Sequence, residues 1–255
     1  MTQLPADFLA RPIAHRGLHD AAAGRVENSR AAINAAVQGG FGIEIDLQLS
    51  VDHQPIVFHD DDLPRLTGHA GRPRDFTAEY LTQLPLLGSN ETIPDLPGIL
   101  ALVAGRAPLL IELKDQTGTL GDSCGALERA TAAALAGYHG PVAVMSFNPS
   151  MVRAFHALAP DIPCGIVTDA YLTQDWPDVP PSRAAQLAQI TEFEASGACF
   201  ISHNHMDLDA RPVQALRARG IPVLCWTIRS QAAAERAMRL SDNITFEGYL
   251  PPHRP

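Results

Sequence analysis

The chain has 255 residues, 46% of them hydrophobic and 18% charged, and a net charge of −9. That is enough apolar material for a large core, and too negative a balance for a general binder of nucleic acid or of anionic membranes. No segment approaches the ~20 apolar residues of a membrane span, and the N-terminal "MTQLPADFLARPIAHRG" lacks the apolar stretch of a signal peptide. A cytoplasmic protein without stable membrane insertion is therefore expected. Cys124, Cys164, Cys199 and Cys225 are widely spaced, form no CxxC or zinc-like pattern, and read as buried free thiols in a reducing compartment.

Along the chain, short apolar segments alternate with alanine-rich helical ones. The strand "PIAH" (12–15) precedes the helical "SRAAINAAVQ". The strand "GIEIDLQL" (42–49) follows, and after only "SVDHQ" comes the apolar "PIVFHD" (55–60). Helical "LPGILALVAG" leads to "PLLIELK" (108–114), "GALERATAAALAGY" to "PVAVMSF" (141–147), and "PSMVRAFHALA" to "CGIVT" (164–168). "SRAAQLAQITEFEA", "CFISH" (199–203), "ARPVQALRARG", "PVLCWTI" (222–228), "SQAAAERAMRL" and "NITFE" (243–247) complete the series. Several helices open on Ser, Asn or Asp or carry a first-turn proline, and several close near a glycine (Gly39, Gly105, Gly137, Gly220).

This alternation predicts a parallel sheet with helices packed outside it. Eight units in a chain of 255 residues match an α/β fold of the (β/α)8 TIM-barrel type, spanning 1–255 as one domain. A doubly wound open sheet is the structural rival, although open sheets usually have fewer strands. The segment "PIVFHD" follows its predecessor too closely for a parallel crossover, so it is expected to return as an antiparallel hairpin partner. A turn centred near Asp52–His53 would set His59 opposite Asp46 and Asp61 opposite Glu44, with opposed Cβ atoms about 5 Å apart.

The second strand raises a chemical question, because Glu44 and Asp46 share one face between Ile43, Ile45 and Leu47. Carboxylates facing solvent, or paired with arginines, are the plain explanation. In a central strand, however, buried charges must be paired or hold a metal, and two carboxylates on one face suit a hard cation such as Mg²⁺ or Ca²⁺. Glu112 breaks a third apolar strand near its end, with Lys114 two residues on as an ion-pair partner or as part of the same cluster. His15 and Arg16 end the first strand, and Gly17 allows a sharp turn after them. The C-terminal strand ends of a barrel carry its active site, so these acids, both histidines, the arginine and the lysine are expected to meet in one mouth. His15 and His59 would act there as general acid and general base, with the roles unassigned between them.

"IAHRGLHD", "ENSRAAINAAVQGGFGIEIDLQL" and "PIVFHDDDLPRLTG" together resemble the signature region of the glycerophosphodiester phosphodiesterase family: HRG, EN(T/S), ExD, (V/I)xxHD and RxTG in order. "LLIELK", "SFNPSMV" and "VLCWTI" resemble further family segments, so the likeness covers about residues 11–250 and looks like the short bacterial type. The resemblance implies His15 and His59 as the acid/base pair, and Glu44, Asp46 and Glu112 as ligands of one divalent cation, Mg²⁺ or Ca²⁺. It implies Arg16 on the phosphate with Lys114 beside it, Glu27 near the metal and substrate, and Trp226 walling the glycerol or leaving-group side. In such enzymes the glycerol 2-hydroxyl attacks phosphorus and water opens the resulting cyclic phosphate. There are two departures. The hairpin turn reads "VDHQP" where the family has "DG", so His53 is expected to need a positive φ. The closing strand reads "ITFEGYLP" where the family has "ITDxP", so Glu247 replaces or displaces an aspartate, a change expected to touch the closing loop more than the chemistry.

The expected activity is thus metal-dependent hydrolysis of a small-molecule glycerophosphodiester to glycerol 3-phosphate and an alcohol. A lysophospholipase D-like or other phosphodiester hydrolase keeps the site and changes the substrate, and an apolar rim in "GYLPP" and "YLTQDWP" would favour it. A barrel that only binds a phosphorylated ligand is the non-enzyme alternative. His203 and His205 form an HxH without a third transition-metal ligand and read as pocket lining or loop structure. His19, His69, His139, His156 and His253 read as surface residues.

Overall fold

A computed structural model describes residues 2–252. Among the described residues nine strands run in chain order: β1 (Ile13–Ala14), β2 (Gly42–Leu49), β3 (Pro55–Val57), β4 (Leu109–Leu113), β5 (Val142–Ser146), β6 (Cys164–Thr168), β7 (Phe200–Asn204), β8 (Val223–Ile228) and β9 (Asn243–Phe246). All but β3 are parallel, and the pairing of β1 with both β2 and β9 closes them into an eight-stranded barrel. The fold is therefore the TIM barrel and not the open sheet. The helices start where the sequence suggests: Ser29, Asp95, Asn148 and Ser230 each accept a backbone N–H of the first helical turn. No helix among the described residues is long and apolar enough to cross a membrane.

The period of two along the strands sorts their side chains. Ile43, Ile45 and Leu47 of β2 and Leu109, Ile111 and Leu113 of β4 pack outward, in the layer that holds Ile33, Ile99 and Val103 of the helices. The alternate positions point into the barrel. Its lower half is apolar, with Phe8 plugging the bottom against Ile13, Leu110, Ala143, Phe200 and Leu224. Gly165 belongs to this layer because a Cβ there would lie 2.3 Å from the Phe200 ring on the neighbouring strand. With the lower half filled mostly by hydrocarbon, where Asn243 is an exception that donates to the Phe8 carbonyl at 2.7 Å, the charged inward residues of β2 and β4 lie at the upper mouth.

The hairpin forms, but its register corrects the expected one. Gln48 faces Ile56 and Leu49 faces Pro55, which places Phe58 against Asp46, and the Phe58 N–H donates to the Asp46 carbonyl at 3.0 Å. The cause is a three-residue loop, Val51–Asp52–His53, closed by Ser50 N–H on the Gln54 carbonyl at 3.0 Å. Such loops end on a residue in the left-handed region, and His53 takes it at φ 59°. His59 lies beyond the ladder, so the one-residue slip does not turn it from the mouth; Gln48 Nε2 ties its carbonyl at 3.4 Å and that of Asp60 at 3.2 Å. Because exposed His53 carries the strain of that conformation, His53→Gly is expected to stabilise the fold by about 0.5–1 kcal/mol in urea unfolding. A lowered midpoint would show that the imidazole makes compensating contacts.

Two other expectations need correction. Cys164 and Cys225 are buried and Cys199 is partly so, but Cys124, on the loop before the helix Ala126–Leu135, is exposed. His69 and His139 are exposed as expected, whereas His19 and His156 are half-buried, the latter with its ring packed under Gly197. His253 lies outside the described residues.

Candidate active site

At the mouth, parallel register brings the carboxylates together. Asp46 of β2 lies beside Glu112 of β4, with Glu44 one inward position below Asp46. Glu44, Asp46 and Glu112 are all buried, and one carboxylate oxygen from each lies within 4.8 Å of the others. Lys114 Nζ stands 2.8 Å from both Asp46 Oδ1 and Glu112 Oε1, so the plain Glu112–Lys114 pair exists inside a larger cluster. Arg16 adds its backbone N–H to Glu44 Oε2 at 2.9 Å and its Nε at 3.4 Å from Asp46 Oδ2. Asn28 Nδ2 donates to Asp46 Oδ2 at 2.9 Å. Among the described residues Glu44 Oε1 is buried and has no hydrogen-bond partner.

The charges in this cluster are unequally served. Burial, reinforced by Asp46 and Glu112, raises the Glu44 carboxyl well above its ordinary value. Burial works in the same direction on Asp46, but Lys114, His59 and Arg16 outweigh it and hold that carboxyl well below the usual range. Burial alone would lower the Lys114 ammonium; Asp46 and Glu112 raise it instead. Three buried carboxylates with one cationic side chain bridging two of them, and an orphaned oxygen on the third, fit a hard divalent cation with oxygen ligands.

Both histidines line the same cavity. His15 Nε2 lies 4.0 Å from Glu44 Oε2, and its Nδ1 lies 2.5 Å from Glu247 Oε2. Burial lowers the His15 pKa from 6.5, helped by Arg16 and opposed by the bond to Glu247. His59 Nδ1 lies 2.8 Å from Asp60 Oδ1. Arg65 grips Asp60 with Nε at 2.6 Å and Nη2 at 2.8 Å, and reaches Glu27 with Nη1 at 2.8 Å and Nη2 at 2.7 Å. Glu27 in turn accepts from Arg16 Nη1 at 2.6 Å, so it sits behind the arginine and outside the three-carboxylate cluster.

Gly17 makes the turn after His15 and Arg16 possible: its φ is +77°, and a Cβ there would come 2.8 Å from the backbone carbon of Ala32. Above the cluster, His15, Arg16, Glu44, His59, Glu112 and Lys114 open into a cavity of about 200 Å³. Trp226 forms its far wall, with Nε1 on the Ser202 carbonyl at 3.0 Å and its ring edge-on to Phe147 at 5.4 Å.

All nine singled-out residues converge here, eight on the mouth cluster and cavity and Glu27 one step behind. Four further residues belong to it. Asn28, Asp60 and Arg65 lie inside the "ENS", "HD" and "RLTG" motifs, which signal them in the sequence. Glu247 is the correction: it contacts His15 directly, and is not a matter of the closing loop alone. Half-buried His19 also reaches that carboxylate, Nε2 lying 3.4 Å from Oε2. His203 is structural, between Thr168 Oγ1 at 2.8 Å and the Asp207 carbonyl at 3.1 Å.

Residues 15–244 match the model of the glycerophosphoryl diester phosphodiesterase family. The chain is 30% identical to YhdW of Bacillus subtilis, a candidate glycerophosphodiester phosphodiesterase, over 91% of its own length and 93% of the relative's. It is 25% identical to the glycerophosphodiester phosphodiesterase of Caldanaerobacter subterraneus over 89% of each chain. Its structure superposes, with a TM-score of 0.76 and 26% identity over 95% of this chain and 94% of the other, on an Oleispira antarctica phosphodiesterase in complex with the product sn-glycerol-3-phosphate.

Proposed function

From the premise that the chain belongs to the glycerophosphoryl diester phosphodiesterase family, we propose that it hydrolyses glycerophosphodiesters to glycerol 3-phosphate and an alcohol, using His15 and His59 as its acid/base pair and one divalent cation. The observation that carries this reading is the single cavity in which both imidazoles, Arg16 and Lys114 surround a buried three-carboxylate cluster. Glu44, Asp46 and Glu112 would hold the cation, Mg²⁺ or Ca²⁺; when bound it supplies Lewis-acid polarisation of the phosphoryl oxygens.

The chain's own groups do the rest. Arg16, its guanidinium backed by Glu27, binds phosphoryl oxygens, and Lys114 balances charge beside them. One imidazole takes the proton of the attacking glycerol 2-hydroxyl while the other protonates the leaving alcohol, and the roles exchange when water opens the cyclic phosphate. Trp226 and Phe147 exclude water from the far side. Leu172, Met206 and Leu250, at 52%, 78% and 71% exposure, stand beyond the ends of β6, β7 and β9. A second substrate class at the same site, lysophospholipids cleaved at the headgroup, would require these residues to form an apolar rim that meets the acyl chain.

Turnover of glycerophosphocholine, glycerophosphoethanolamine and a lysophospholipid with Mg²⁺, Ca²⁺ or EDTA tests the reading. Chelation is expected to remove activity on all substrates by about 100-fold or more, as the loss of several kcal/mol of Lewis-acid stabilisation requires. Activity indifferent to EDTA would remove the metal role of the three carboxylates.

A further inference from the structure

The strongest unassigned arrangement lies behind His15, and it rests on the reading of His15 as an acid/base residue. We propose that Glu247 is the positioning residue for His15, holding the imidazole with Nδ1 protonated and Nε2 presented to the reacting phosphate.

A carboxylate can only accept, so the 2.5 Å contact between Glu247 Oε2 and His15 Nδ1 requires the proton on Nδ1. That leaves Nε2 as the nitrogen on the cavity side, 4.0 Å from Glu44 Oε2. The carboxylate is itself immobilised. Its other oxygen, Oε1, accepts from Arg229 Nε at 2.8 Å and lies 2.7 Å from Arg229 Nη2, so it cannot rotate away without losing a two-pronged ion pair. Its backbone is fixed at both neighbours: Glu247 N–H donates to the Ile228 carbonyl at 3.0 Å, and His15 N–H to the Phe246 carbonyl at 2.9 Å. The ladder that pairs Ile13 with Thr245 and Ala14 with Phe246 therefore carries His15 and Glu247 onward side by side.

His59 has the same construction from unrelated elements, its Nδ1 on Asp60 and Asp60 on Arg65. Two imidazoles, each held through Nδ1 by an arginine-anchored carboxylate, show that the arrangement at His15 is a repeated solution to one requirement. Both rings must offer Nε2, in a fixed direction, to one centre. A free imidazole populates both tautomers and rotates about χ2; the carboxylate removes both freedoms.

Glu247→Ala is expected to lower kcat by about 10- to 100-fold with KM changed by less than about twofold. Glu247→Asp should recover most of that loss, and Glu247→Gln should not, because its amide can also donate and so accept the wrong tautomer. Arg229→Met, at an exposed position that tolerates change, should lower kcat by only about 2- to 5-fold. Independently of turnover, the wild-type protein should show a low-field proton resonance from His15 Nδ1–H that is absent from both Glu247→Ala and His15→Gln. A Glu247→Ala protein with wild-type kcat, or one in which the Asp variant is no better than the Ala variant, overturns the proposal. So does a fall in kcat that tracks lost thermal stability, with the low-field resonance unchanged. If the underlying reading of His15 is what fails, His15→Gln itself keeps its turnover; an inactive His15→Gln beside a fully active Glu247→Ala rejects the positioning role alone.

Discussion

His59→Ala is expected to fold normally and to lose turnover by about 10²–10⁴-fold, the usual contribution of one positioned acid or base. The two halves of this prediction have separate physical grounds. His59 follows β3 on a loop, its side chain is 31% exposed, and its carbonyl, not its ring, is what Gln48 ties down. Truncation therefore leaves no cavity in the core and no buried group orphaned, and the unfolding free energy from urea titration should change by less than about 0.5 kcal/mol. The ring, by contrast, lines the cavity together with His15. Steady-state kcat on glycerophosphocholine, read beside the unfolding midpoint and calorimetric Mg²⁺ or Ca²⁺ binding, separates the two. A fully active variant would remove His59 from the acid/base pair.

Glu44→Gln should move stability and activity in opposite directions. Glu44 is 1% exposed, its Oε1 is unpartnered, and Asp46 and Glu112 stand beside it, so its ionised form is held at a cost in the metal-free protein. A neutral amide keeps the shape and can still accept the Arg16 N–H, so removing a buried charge that its neighbours oppose is expected to stabilise the metal-free protein by about 1 kcal/mol, the scale of one pKa unit. The same change removes a carboxylate from the proposed cation site, and activity should fall by about 100-fold or more. The wild-type Tm should rise with added Mg²⁺ or Ca²⁺, and that of Glu44→Gln should rise far less. A variant that is less stable without metal, or that keeps its metal-induced rise, would show that Glu44 serves the fold and not a cation.

Much of this was legible in the sequence because β2 states its own geometry. Ile43, Ile45 and Leu47 demand an outward apolar layer, so Glu44 and Asp46 have to face inward. What alternation cannot give is the neighbour. β2 pairs with β4 across the intervening hairpin, and only that register sets Asp46 beside Glu112. The hairpin register differs from the expected one by one residue because the positive φ expected at His53 is common to two-residue primed turns and to three-residue loops, so it does not choose between them. Arg65 was visible in its motif, but its grip on both Asp60 and Glu27 depends on side-chain reach across 38 residues of chain. Glu247 was the hardest to place, since nothing local to "ITFEGYLP" indicates that it stands next to "AHRG".

That seam between β1 and β9 also orders events during synthesis. The pair it creates spans 232 residues, nearly the full length of the chain, so it is among the most non-local contacts the fold contains. A ribosome-bound chain that has already emerged through β8 holds His59, the three carboxylates, Arg16 and Trp226, yet still lacks the strand that seals the cylinder and fixes His15. Competence for the reaction then arrives with β9 rather than growing with length. A nascent or C-terminally clipped protein should consequently be inert toward its substrate even where most of its barrel has formed.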